Sequence, residues 1–148
     1  MLYVLIGTSG SGKSTFAEKL VDERTVCVST DTIRKNLLGD EACQDRGREV
    51  FALAYGAVRN WLRNGLDVIF DATNTTHRSR KQLVKEVKSI PCRKVAVLFN
   101  VSPATAKAQN AGRSRVVPEE VIDRQYAQLM ADASKIPDLF DAIVVVGG

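Results

Sequence analysis

Apolar residues along this chain fall in short unbroken runs rather than in alternation with polar ones. The runs are LYVLI at 2–6, TVCVS at 25–29, DVIF at 67–70, KVAVLF at 94–99 and AIVVV at 142–146. Runs of four to six residues rich in valine and isoleucine read as strands, and the missing alternation reads as strands covered on both faces. Between them lie longer stretches with apolar residues three and four apart, the helical period. The clearest, GREVFALAYGAVRNWLRNG, places Val50 or Phe51, Ala54, Val58, Trp61 and Leu62 on one stripe and stops at Gly65, a natural left-handed cap. Strands separated by helices predict an α/β fold: a parallel sheet of about five strands flanked by helices. Trp61 is expected in the core, with a stacking platform for a nucleobase as the alternative.

With 148 residues, the chain has the size of one compact domain, 1–148, and it contains no repeat, low-complexity tract or linker. None of its apolar runs approaches the roughly 20 residues that cross a bilayer, so no membrane contact is expected. MLYVLIG lacks a basic lead, and Cys27, Cys43 and Cys92 are odd in number and far apart. Both features fit reduced thiols and a cytoplasmic location better than export and disulfides. The net charge of +4 decides nothing by itself, but its distribution is uneven. Residues 77–94 carry seven Lys or Arg against the single acid Glu86, either a solvated helix face or a track for a phosphate backbone. His77, just after the N-cap candidate Thr76, reads as a surface residue.

The strongest chemical signal is GTSGSGKST, which fits G-x-x-x-x-G-K-[ST] through Gly7, Gly12, Lys13 and Ser14. It follows a predicted strand and opens a predicted helix. Backbone N–H groups of Gly10, Ser11, Gly12, Lys13, Ser14 and Thr15 would then converge on the phosphates of ATP or another nucleoside triphosphate. Lys13 would reach the β- and γ-phosphates, and the Ser14 hydroxyl would ligate Mg²⁺, a hard cation that suits oxygen donors.

A phosphate loop names the donor and leaves the acceptor open. In parallel sheets, ligands bind beyond the carboxyl ends of the strands. Those ends are followed here by Gly7, Asp31, Asp71 with Asn74, and Asn100. In STDTIRK, Asp31 and Arg34 stand three apart on a predicted helix and so share a face. A carboxylate there could orient an acceptor hydroxyl and take its proton, while the guanidinium held an anionic group of the acceptor. The plainer alternative is an N-cap with a surface ion pair. Asp71 could bind a Mg²⁺ water, brace Arg34, or cap the turn at DATN.

Four blocks together resemble the polynucleotide 5′-hydroxyl kinases of phage and bacterial nucleic-acid repair, within the small P-loop kinases. They are GTSGSGKST, STDTIRK with its D-x-x-R, VIFDATNTTHRSR with its D-x-T-N, and AQNAGRSRVVPEEVIDRQY. The resemblance implies a P-loop kinase fold with a helical lid, Asp31 as general base, and Arg34 as the holder of the phosphate 3′ to the accepting hydroxyl. It also implies a lid arginine on the donor phosphates, for which Arg113 is the best match. Gln109 stands where relatives often have a basic residue, and the spacing from Arg113 to Pro118 is a residue short, so a shifted register would put Arg115 or Lys107 in that role. The expected reaction is transfer of a γ-phosphoryl to the 5′-OH of a DNA or RNA end. The alternatives are another hydroxyl acceptor (a nucleoside, sugar, antibiotic or hydroxymethylated base) or a non-enzymatic nucleotide-binding switch.

Overall fold

The computed structural model describes residues 1–38, 47–113 and 116–147. In chain order the elements are β1 (Leu2–Ile6), α1 (Lys13–Leu20), β2 (Thr25–Ser29), α2 (Thr30–Leu38), α3 (Gly47–Arg63) and β3 (Asp67–Asp71). Then follow α4 (His77–Glu86), β4 (Lys94–Phe99), α5 (Pro103–Ala111), α6 (Glu119–Asp132), a 3-10 segment (Ala133–Asp138) and β5 (Ala142–Val146). The five strands form one parallel sheet in the order β2-β3-β1-β4-β5. Since all run the same way, their carboxyl ends make a single rim, and Ser29 at the end of β2 pairs in register with Asp71 at the end of β3.

Alternation along each strand splits the core between the two sheet faces. Leu2, Val4, Ile6, Val68 and Phe70 meet Ala54 and Val58 of α3, Leu83 of α4 and Ile136. Leu5, Ile69, Val97 and Phe99 meet Ala17 and Phe16 of α1. Each fully buried aliphatic or Phe side chain contributes about 1.5–3 kcal/mol by leaving water. The central strands are therefore apolar except at their ends, as the unbroken runs predict.

The sheet margin departs from that expectation. In β5, Ile143, Val144 and Val145 are exposed, because an edge strand has a neighbour on one side only. Trp61 is not in the core either. The buried stripe of α3 is Val50, Ala54, Val58 and Leu62, and Trp61 falls on its flank over edge strand β2, 39% exposed. The closing glycine is as expected, Gly65 having φ +79°. Arg80 belongs to the interior rather than to a charged surface, being fully buried. His77 is half-buried, its N–H donating to Asp132 at the end of α6 (3.3 Å). Among the described residues no helix is long and apolar enough to cross a membrane. Cys27 and Cys92 are free thiols, and Cys43 lies outside the described residues.

Candidate active site

The phosphate loop is shaped by close backbone packing. Gly10 has φ +81°, and a Cβ there would stand 2.3 Å from the Ala106 carbonyl oxygen of α5. Gly12, the N-cap of α1, has φ +96°, a region L side chains avoid. The loop is tied at its start by Gly7 N–H donating to Thr73 O (3.0 Å) and internally by Ser11 N–H to Thr8 O (3.2 Å). Inside it the Thr8 and Ser11 hydroxyls are buried without a partner, a cradle short of an acceptor or donor.

Lys13 folds into the loop, its Nζ donating to Thr8 O at 2.7 Å. Burial pulls its pKa down to about 8, against the pull of the Asp71 and then the Asp31 carboxylate, while Arg113 lowers it further. Next to it, Ser14 Oγ donates to Asp71 Oδ2 at 3.0 Å. Burial raises the Asp71 pKa, opposed by Lys13 and the Ser14 hydrogen bond. A hydroxyl and a carboxylate side by side are hard oxygen donors, which fits Mg²⁺. No group of three metal-ligating side chains occurs among the described residues, so the remaining ligands would come from phosphate and water. Asp71 thus stands beside Ser14 at the phosphate loop, and it makes no hydrogen bond to Arg34.

Across the rim, Ser29 Oγ accepts the Thr32 N–H (3.2 Å) and starts α2. Arg34 Nη1 donates to Asp31 Oδ1 at 3.1 Å, so the pair does share a face. The two are not equivalent. Arg34 is buried, with its Nε unpartnered, whereas the Asp31 carboxylate is 43% exposed. Residues 10–15, Asp31, Arg34, Asp71 and Arg113 all line one cleft of about 1030 Å³.

The late segment is pinned at both ends. Asn110, buried, donates through Nδ2 to Val117 O (2.7 Å) and accepts the Val117 N–H (3.0 Å), closing the stretch that carries Arg113. Lys107 pairs instead with Asp123 (2.8 Å) and is not on the cleft wall. Arg115 lies outside the described residues.

Several side chains outside the phosphate loop brace the site. Asn74, at φ +50°, donates from Nδ2 to Leu5 O (2.7 Å) and Ala72 O (3.3 Å), joining the ends of β1 and β3. Arg80 donates to Asn74 O (2.9 Å) and to Asp132 O (3.1 Å). From α6, Gln125 Oε1 accepts the Ser9 N–H of the loop (2.8 Å) and Gln128 Oε1 accepts the Thr75 hydroxyl (2.9 Å). The sequence pattern places Asn74 on the rim and Arg80 in a basic run expected at the surface, and it gives Gln125 and Gln128 no role.

A parallel sheet with a glycine-rich loop after its first strand, a buried lysine in that loop and a Ser–Asp pair beside it defines a P-loop nucleotide-binding protein of the kinase fold. The chain belongs to the AAA domain family, whose model matches residues 2–132. A search of curated proteins finds no match. Among solved structures, a chain of the Pnkp1/Rnl/Hen1 RNA repair complex superposes with a TM-score of 0.81 at 23% identity, over 90% of this chain and 45% of that one. Kti12 of Chaetomium thermophilum, in complex with ADP-AlF3, gives 0.69 at 19% identity over 99% and 89% of the two chains. A gluconokinase from Sinorhizobium meliloti 1021 gives 0.60 at 18% over 97% and 80%. The chain thus spans less than half of the repair-complex relative.

Proposed function

We propose that residues 1–148 act as one kinase domain that transfers the γ-phosphoryl of ATP or another nucleoside triphosphate to the 5′-OH of a DNA or RNA end. The observation that carries this reading is the Asp31–Arg34 pair in the cleft of the phosphate loop, with the Arg34 Nε buried and unpartnered. A phosphate on the acceptor would satisfy that donor. The RNA repair complex among the structural neighbours supports a nucleic-acid end as acceptor.

In this mechanism Arg34 holds the phosphate 3′ to the acceptor hydroxyl, and Asp31 orients that hydroxyl. Its oxygen bonds to the γ-phosphorus in line as the bond to the β–γ bridging oxygen breaks, and the nucleoside diphosphate leaves with the electron pair. The hydroxyl proton passes to Asp31. A carboxylate is a weak base, but a loose transition state needs little early proton removal, so alignment matters most. Lys13 and the loop amides hold the donor phosphates, and Arg113 balances charge spreading over the transferred group. Ser14, with Asp71 behind it, would hold Mg²⁺, which when bound supplies further charge neutralisation on the donor.

Incubation with labelled nucleotide and a panel of 5′-OH oligonucleotides, nucleoside 3′-phosphates and sugars tests the reading. Label should enter acceptors bearing a 3′-phosphate. The gluconokinase neighbour, matched over most of its length, favours a second reading with a small polyhydroxy acceptor, in which sugars alone are labelled. Asp31→Asn should lower turnover by about 10² to 10⁴-fold with nucleotide affinity kept. Arg34→Ala should raise the acceptor KM more than the nucleotide KM. Turnover near wild type, or equal effects on both KM values, would sink the respective assignment.

A further inference from the structure

Four exposed cations, Arg78, Lys81, Lys85 and Lys88, follow one another along α4 and its closing turn at i, i+3, i+7 and i+10. The buried residues Arg80, Leu83, Val87 and Ile90 have the same spacing on the opposite side, so the cations form a continuous outward stripe. Among the described residues none of the four has an ion-pair partner, whereas Arg59, Lys107 and Lys135 are matched by Glu86, Asp123 and Asp132. Glu86, the acid within α4, is thereby turned away to α3. Local helix stability does not account for the arrangement. Like charges three and four apart weaken a helix, and α4 has no acid in its first turn but an arginine there, against the helix dipole.

Position gives the stripe its meaning. Thr75 lines the catalytic cleft, Thr76 caps α4, and Arg78 comes two residues later. The strand that leads into α4, β3, is the neighbour of β2, which leads into Asp31 and Arg34. The row of cations therefore starts beside the acceptor half of the rim and runs away from it for about 15 Å at 1.5 Å per residue. Along a nucleic-acid strand phosphates recur at about 3.4 Å of helix rise, so a stripe of this length faces about four of them.

We propose that this face of α4 is a track for the sugar-phosphate backbone of a polynucleotide acceptor, downstream of the nucleotide whose hydroxyl is phosphorylated. The proposal rests on the kinase reading only for the direction in which the strand runs. Four contacts to a single strand release about 0.7 counterion each, so binding should weaken about 50-fold between 50 and 200 mM salt through these residues alone.

The test compares wild type with the fourfold variant Arg78→Gln, Lys81→Gln, Lys85→Gln, Lys88→Gln. Affinity for 5′-OH oligonucleotides of 2 to 12 nucleotides is read by fluorescence anisotropy across a salt series, and turnover is measured with a nucleoside 3′-phosphate. Wild-type affinity should rise with length up to about five nucleotides, and the variant should lose that gain and about 2–3 of the log-log salt slope. Its KM for the nucleoside 3′-phosphate should stay unchanged. A wild type that phosphorylates the short acceptor but gains nothing from added length overturns the track and leaves the kinase reading standing. Oligonucleotide binding that is steep in salt and lost in the variant, without phosphorylation of any hydroxyl, supports the track while the kinase reading fails. Should the variant not fold, the wild-type length series still decides.

Discussion

Lys13 offers the sharpest quantitative test of the phosphate loop. Its ammonium is buried against the Thr8 carbonyl, and burial brings its pKa from 10.5 to about 8 despite the nearby Asp71 and Asp31. Nucleotide phosphates placed against Nζ would return the pKa to at least its ordinary value, because an adjacent anion favours the charged form. Binding should therefore take up a proton: about 0.1 per site at pH 7, 0.5 at pH 8 and 0.9 at pH 9. The donor's terminal phosphate is fully ionised from pH 8 upward, so it adds little to the count there. Titration calorimetry in two buffers of different ionisation heat at pH 7, 8 and 9 reads the uptake directly. Nucleotide affinity should fall by about tenfold per pH unit above 8, toward a total of about 3.4 kcal/mol for the 2.5-unit shift. Lys13→Met should abolish the uptake. Less than about 0.3 proton at pH 9 in the wild type, or affinity flat from pH 8 to 9.5, would refute the claim that burial rather than ion pairing governs this lysine. Stability runs the opposite way with pH. The folded-state pKa lies below the unfolded one, so the unfolded chain binds more protons between pH 8 and 10.5. This group's contribution to stability rises with pH across that window and is lost as pH falls through about 8.

Two further outcomes test how the site is braced. Gly10→Ala meets both a left-handed φ and the Ala106 carbonyl at 2.3 Å, whereas Gly12→Ala has nothing within 4 Å and faces conformational strain alone, about 1–2 kcal/mol. Urea denaturation should show the larger loss for Gly10→Ala, accompanied by loss of nucleotide binding; equal losses would mean that α5 does not set the loop. Asn74→Asp points a carboxylate at the buried Leu5 and Ala72 carbonyls and should cost about 3 kcal/mol or more, while Asn74→Gly keeps the φ of +50° and loses only the donor, about 1–2 kcal/mol. The reverse order of denaturation midpoints would refute the donor role given to the Asn74 side chain.

What could be read from the sequence is what is encoded locally. The apolar runs at 2–6, 25–29, 94–99 and 142–146 coincide with β1, β2, β4 and β5, and β3 extends its run by one residue to Asp71. A strand covered on both faces must be apolar throughout, and this signal needs no partner to be recognised. Asp31 and Arg34 are three apart, and the phosphate loop is contiguous, so their geometry follows from helix and turn rules alone. Trp61 shows where such rules stop. Periodicity defines an arc on α3, but which flank of that arc is covered depends on β2 being the sheet's edge, a property of strand order that no single helix carries.

The same boundary divides the site. The groups that would touch phosphate, metal and acceptor lie in short motifs, while those that hold the motifs in register come from far along the chain. Gln125 reaches Ser9 across 116 residues, Gln128 reaches Thr75 across 53, and Arg80 reaches Asp132 across 52. Glutamine has no periodic or turn signature, and an arginine in a basic run reads as surface, so such ties become visible only when the strands are in place. They are also what connects α6 to the phosphate loop and to the turn after β3 at once. A displacement of α6 must therefore strain the Ser9 amide and the Thr75 hydroxyl together, so the phosphate loop and the turn after β3 are mechanically coupled through one helix.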